Sequence, residues 1–138
     1  MTRREEIDVP GQAAPISHYA HAVRADGPLL FVSGVVPVDG KGRLSGDDVV
    51  EQARVVFRNL GEVLAAAGAG FGDVVKVTIF LTDVDDRPLI NPVRREVFGA
   101  ARPASTLVEV SRLAIPGAKI EVEAIATVSD PLLRSEPA

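Results

Sequence analysis

The sequence predicts an α+β fold: a mixed β-sheet with two helices packed on one of its faces. Three observations lead there. A long helical period of apolar residues runs from about 49 to 67, and a shorter one from Leu89 to Phe98. Short β-branched or apolar runs flank both. The resulting order is β-β-α-β-α-β-β, which a sheet with its helices on one side accommodates.

The first two strands are expected at His18 to Ala25 and Leu29 to Val36, on either side of Ala25-Asp26-Gly27-Pro28. Asp-Gly is a strong turn signal, so these two runs are expected to form a β-hairpin. The second run, LLFVSGVVPV, is almost continuously apolar and reads as a strand buried on both faces. Ser33-Gly34 interrupts it, and a glycine there marks a bulge or a close backbone approach. A further strand is possible near Ile7 to Val9. Residues 1–6 are charged and are expected to fray, as is the tail from about Leu132 through SEPA at 135–138.

Asp39-Gly40-Lys41-Gly42 forms a loop, and Ser45, Asp47 and Asp48 signal a helix start. Val49, Ala53, Val56, Phe57, Leu60, Val63, Leu64 and Ala67 then recur at three- and four-residue steps. Glu51, Arg54, Arg58 and Glu62 take the other side. Gly68-Ala69-Gly70 stops the helix. Val74 to Thr82 alternates, with Val75, Val77, Ile79 and Leu81 on one face and Lys76, Thr78 and Thr82 on the other. The second helix turns Ile90, Val93, Val97 and Phe98 inward, and Pro92 is tolerable only in a first turn. The last strands are Ser105 to Val110 and Lys119 to Val128. Lys76, Thr78, Glu121 and Glu123 leave the helix-free sheet face of mixed polarity, which points to an oligomer.

Bulk properties narrow the function. The chain has 138 residues, enough for one domain with its own core. It has no cysteine, which excludes disulfides, thiolate catalysis and thiolate metal sites. The net charge of −4 gives no basic field for nucleic acid. No apolar run has the length of a membrane span. MTRREEIDVPG lacks the apolar segment of a secretory signal, so a cytoplasmic protein is expected.

The chemical candidates are few. Glu121 and Glu123, two apart in KIEVEAIAT, share a strand face. Such a carboxylate can orient a water or accept a proton in a cleft. The plainer reading is a solvated face paired with Lys119 or Lys76. His18 and His21 point to opposite faces of a strand and have no third ligand in the pattern, so no metal is expected. Ser33-Gly34 lacks the flanking glycine pattern of a hydrolase elbow. Ser105, in RPASTLVEV, has no histidine near it in the chain. No phosphate-binding loop or dinucleotide fingerprint occurs.

Five segments follow one another at spacings that form a known pattern: FVSGVVPVD, AAAGAGFGDVVKVTIFLTDVDD, INPVRREVF, RPASTLVEV and KIEVEAIA. Together they resemble the RidA family, also called YjgF or endoribonuclease L-PSP, over about residues 15 to 128 of a single domain. The resemblance implies a chorismate-mutase-like fold. It also implies a homotrimer with a barrel-like centre and small-molecule clefts between subunits. The activity implied is hydrolysis of reactive enamines and imines to a carbonyl compound and ammonia, with no cofactor. Matched to the family pattern, Tyr19, Ser33, Gly34 and Asn91 line the cleft, and Glu121 places the attacking water. Ser105, Thr106 and Leu107 stand where the family has an arginine, a serine and a cysteine.

That arginine clamps the substrate carboxylate, so Ser105 implies an altered substrate preference. Three consequences are compatible with it. Another arginine substitutes: Arg102 is three residues upstream, and Arg87, Arg94 and Arg95 are the other candidates. Or the cleft takes a neutral or differently shaped substrate, such as an imine from a dedicated pathway. Or the cleft binds a small metabolite without catalysis, making the chain a binding or regulatory protein. If the chain is an imine hydrolase, it is expected to act poorly on imino acids of the 2-aminoacrylate type, and Ser105→Arg is expected to raise that activity.

Overall fold

The computed structural model describes residues 3–129. It contains β1 (Arg3–Ile7), β2 (Ala22–Asp26), β3 (Leu29–Val35), α1 (Val49–Ala66), β4 (Val74–Leu81), α2 (Arg87–Phe98), β5 (Ala104–Glu109) and β6 (Ile120–Thr127). Four strands make the main sheet in the order β3-β6-β4-β5, and β1 and β2 form a separate two-stranded ribbon. β6 runs antiparallel to both β3 and β4, and β5 runs parallel to β4. The two parallel connections, β3-α1-β4 and β4-α2-β5, each need a helical crossover. Both helices pack on one sheet face, as expected.

Local chemistry accounts for α1. Asp48 caps it and accepts from the Glu51 N–H, while the Glu51 carboxylate accepts from the Asp48 N–H, closing a capping box. At the other end Gly68 has φ +75°, and the Ala69 N–H returns to the Leu64 carbonyl at 2.9 Å. This is a glycine-dependent helix stop. The inward side carries Ala53, Val56, Phe57, Leu60 and Leu64, but Val63 is 43% exposed. Gln52 is buried in its neighbourhood. Its Oε1 accepts from the Lys119 N–H at 2.7 Å, and its Nε2 donates to the carbonyls of Gly46 and Gly117, so every polar atom of the amide is partnered.

The core lies between helices and sheet, with Val77, Ile79 and Leu81 of β4 and Ile120, Val122, Ala124 and Ala126 of β6 facing the helices. Phe98 of α2 meets Phe57 and Phe71 edge-on, with ring centres 6.0 and 5.4 Å away. Such pairs contribute roughly 0.5–1.5 kcal/mol beyond area burial.

Five expectations change. The β2–β3 hairpin does not form: Gly27 makes the turn with φ +104°, but β2 pairs with β1 and β3 with β6. Residues 3–7 form a strand. The Arg4 Nε donates to the Val74 carbonyl at 2.9 Å, and Glu6 accepts from Arg4 and Arg102. The strand expected at 7–9 therefore sits a few residues earlier. In β4 the register slips between Val74 and Lys76, so Val74 takes the inward place expected for Val75. α2 starts at Arg87, which puts Pro92 in its second turn, where no N–H answers the Pro88 carbonyl. Finally, β3 is buried on one face only, and Phe31 is 71% exposed on the other. The expected fraying of the C-terminal tail concerns residues outside those described.

Candidate functional site

The sheet register divides the candidate residues into two groups. Val77 is buried beneath the helices and pairs in register with Ser105, so Ser105 also faces the helix layer. Glu121 pairs with Phe80, one row over, and faces away from the helices. Ser105 and Glu121 therefore lie on opposite faces of the sheet. Within one chain they do not converge.

The first group sits on the open face. β3 is irregular between Val32 and Val35, so Ser33-Gly34 forms a bulge beside β6. The sequence allowed either a bulge or a close approach there, and the chain has both. An ideal Cβ on Gly34 would fall 2.1 Å from Glu121 Oε2 and 2.9 Å from its Cδ. Only glycine lets the carboxylate lie against this backbone. Among the described residues Glu121 has no hydrogen bond or ion pair. Neither lysine expected as a partner pairs with it: Lys76 Nζ donates to Thr106 Oγ1 at 2.7 Å, and the Lys119 ammonium makes no ion pair among the described residues. An open groove of about 460 Å³ beside the β3 bulge is lined by Phe31, Ser33, Gly34, Val36, Asn59 and Val63, and Glu121 is not part of its lining.

The second group surrounds a cavity of about 260 Å³ beside β5, the edge strand of the main sheet. Ser17, Tyr19, Arg87, Arg94, Ser105 and Leu107 line it. Arg94 comes from α2, is 1% exposed, and donates through Nη2 to Ser105 Oγ at 3.0 Å and to the His18 carbonyl at 3.5 Å. Its Nε is buried with no partner among the described residues. Burial pulls its pKa down from the ordinary guanidinium value to about 10, against a smaller upward pull from Tyr19, so it stays charged at neutral pH. Arg87 donates to the Ile16 carbonyl at 3.3 Å and to Ser17 Oγ at 3.4 Å. The lining holds two guanidinium groups and no carboxylate.

The remaining candidates fall outside both groups. Arg102, the first substitute considered, is tied up: its N–H and Nε bind Glu6, its guanidinium also reaches Asp8, and it does not line the cavity. Thr106 faces the open side, with Lys76. Asn91 lies on α2 with its Oδ1 buried and without a partner among the described residues. His18 and His21 do not form a metal site: their ring nitrogens bind backbone groups of Gly99, Val9 and Ala13. Among the described residues no group of three or more His, Asp or Glu is placed to hold a metal. Two larger hollows, about 620 and 530 Å³, lie beside the β1–β2 ribbon and the 112–118 loop, and neither contains a candidate residue.

In the sequence Arg94 is one of several arginines that could substitute for the one absent at position 105. The signal was available. Arg94 is four residues after Ile90 and four before Phe98, so it falls in the inward stripe of α2.

Comparison with known proteins agrees with this architecture. The sequence model of the family described as Endoribonuclease L-PSP matches residues 11–128. The mouse (Mus musculus) protein named 2-iminobutanoate/2-iminopropanoate deaminase is 37% identical over 134 residues, covering 96% of this chain and 96% of that protein. RutC family protein PH0854 of Pyrococcus horikoshii is 41% identical over 124 residues, covering 89% of this chain and 97% of its own. Among solved structures, YyfB of Yersinia pestis, described as a conserved Rid protein of unknown function, superposes with a TM-score of 0.85. It is 30% identical, with 91% of this chain and 98% of that chain covered.

Proposed function

The chain belongs to the endoribonuclease L-PSP family, the RidA or YjgF proteins, and from that footing we propose that it is a cytoplasmic enamine/imine deaminase working as a homotrimer. Its substrate is a reactive imine or the tautomeric enamine, and its products are a carbonyl compound and ammonia. The observation that carries this reading is Glu121, a carboxylate unpaired among the described residues and lodged against Gly34 on an open sheet face. Relatives bearing the name 2-iminobutanoate/2-iminopropanoate deaminase support the reaction class.

The chemistry needs little. Glu121 takes a proton from a water as its oxygen adds to the imine carbon, giving a carbinolamine. For the imine protonated on nitrogen, that proton passes from Glu121 to the amine, the C–N bond breaks with its electron pair leaving on ammonia, and the hydroxyl gives its remaining proton back to Glu121 as the C=O bond forms. Because Glu121 and the Ser105 cavity occupy opposite sheet faces, a complete site takes Glu121 from one subunit and Tyr19, Arg94 and Ser105 from its neighbour. The mixed open face, with exposed Phe31, then lies at the subunit boundary.

The test uses 2-iminobutanoate generated in situ by an amino-acid oxidase, with 2-oxobutanoate release followed over time. Wild type accelerates release, and Glu121→Gln lowers that rate about 100-fold or more while remaining a trimer. A Glu121→Gln protein as fast as wild type overturns the assignment. A ligand that raises the melting temperature with no turnover of any imine favours the binding-only alternative instead.

A further inference from the structure

We propose that Arg94 is the carboxylate clamp of this site, reaching it from α2 rather than from β5, and that Ser105 is the residue that positions it. The ligand class is then a small α-imino or α-keto acid with one carboxylate and a short apolar side chain. The substrate class rests on the deaminase reading; the anion site itself does not.

Charge is the first argument. A buried cation is ordinarily paired or fully hydrogen-bonded, because removing it from water unpaired costs several kcal/mol. Arg94 is 1% exposed, has no carboxylate partner among the described residues, and leaves Nε unsatisfied. A second cation, Arg87, shares the lining, and no acid does. Arg102 provides the contrast. It lies close in sequence to Ser105, yet Glu6 and Asp8 already neutralise it.

Shape is the second argument. The bond from Nη2 to Ser105 Oγ fixes the plane of the guanidinium from one side. A planar fork held in this way meets the two oxygens of a carboxylate with parallel hydrogen bonds. Tyr19 and Ser17 add polar contacts, and Leu107 and Ile16 supply an apolar wall. The volume of about 260 Å³ is that of roughly eight or nine waters at about 30 Å³ each. That suits an acid of a few carbons with some bound water.

Binding to the intact oligomer is measured by calorimetry with sodium pyruvate as probe and acetone as its uncharged counterpart, at constant ionic strength. Wild type binds pyruvate and not acetone. Arg94→Gln weakens pyruvate about 10- to 100-fold, Arg94→Lys restores only part, and Ser105→Ala weakens it several-fold. Intact pyruvate binding in a protein that turns over no imine would remove the deaminase reading and leave the clamp standing. A folded Arg94→Gln oligomer that binds pyruvate as tightly as wild type overturns the proposal. If Arg94→Gln does not fold, Arg94→Lys decides, and equal affinity there overturns it equally. Failure of wild type to bind pyruvate, with Arg94→Gln dissociating the oligomer, also overturns it and pairs Arg94 with a carboxylate of a second copy.

Discussion

Gly34→Ala separates a site residue from a structural one. Gly34 has no positive φ, so alanine brings no backbone strain. The whole effect comes from one methyl group. Its carbon would lie 2.1 Å from Glu121 Oε2, and ordinary contact starts at 3.4 Å, so the carboxylate must retreat by about 1.3 Å. The obstacle is the far end of a flexible side chain on an open face, and no backbone atom blocks the new methyl within 4 Å among the contacts nearest it. Stability therefore changes little, by about 1 kcal/mol or less, as for other substitutions outside the core. A misplacement of about 1 Å in a reacting group costs about 100-fold in rate. Expected, then, are a melting curve within a few degrees of wild type and a turnover number down about 100-fold. The double variant Gly34→Ala/Glu121→Gln should be no slower than Glu121→Gln alone, since the methyl acts only through that carboxylate. Full activity in Gly34→Ala would refute the role of Glu121. A large fall in melting temperature would refute the claim that Glu121 yields freely.

Two further outcomes follow from other parts of the molecule. Ser105→Arg, expected from sequence to raise activity on imino acids, should instead lower both stability and rate: it removes the acceptor of Arg94 and sets two guanidinium groups together, a repulsion of about 4 kcal/mol at 4 Å and an effective dielectric constant of about 20. Ser105→Arg combined with Arg94→Ala should recover part of the loss, and a single Ser105→Arg more active than wild type would contradict this account. At the other end of the molecule, burial pushes the Glu6 pKa up, but the Arg102 N–H and the charges of Arg4 and Arg102 outweigh it and hold the value below 4.5. A lowered carboxylate pKa stabilises the fold above the unfolded value and loses that contribution as pH falls through the folded one. Amide exchange in β1 should accelerate as pH drops below 4.5, after correction for intrinsic rates, and Glu6→Gln should show the fast exchange already at neutral pH.

What the sequence revealed and what it concealed divide along the range of the interactions. α1 was legible because its signals are local: Asp48 and Glu51 are three residues apart, and Gly68 stands one turn past the last inward leucine. The alternation of β4 was legible for the same reason, except at Val75, where a bulge shifts one residue without leaving a mark in composition. β1 lies earlier than its sequence suggests because its partners are distant. Arg4 reaches Val74, and Glu6 reaches Arg102, so a charged segment that looks soluble in isolation is held by tertiary contacts. The β2–β3 hairpin was overread because Asp26-Gly27 specifies a turn, while pairing depends on which strand offers the better neighbour. In the candidate site, Glu121 and Gly34 were legible individually. Their contact was not, because it depends on the β3–β6 register.

Ser105 and Arg94 have to be read as a pair, and the topology explains why. The parallel connection from β4 to β5 carries α2 across the same face that receives alternate side chains of β5. A residue in the inward stripe of α2 and a residue on the helix-side row of β5 therefore point into one space. A guanidinium can occupy the place beside residue 105 from the strand or from the helix, but not from both, because like charges in direct contact repel strongly. When it comes from the helix, the strand position must be small enough to leave room and polar enough to accept a hydrogen bond. Serine satisfies both, at 3.0 Å from Nη2. Leu107, two residues along on the same row, keeps the adjoining wall apolar. On this reasoning a hydroxyl at 105 is not a lost clamp. It is the complement that an arginine at 94 requires, and substitutions at the two positions should be tolerated together where neither is tolerated alone.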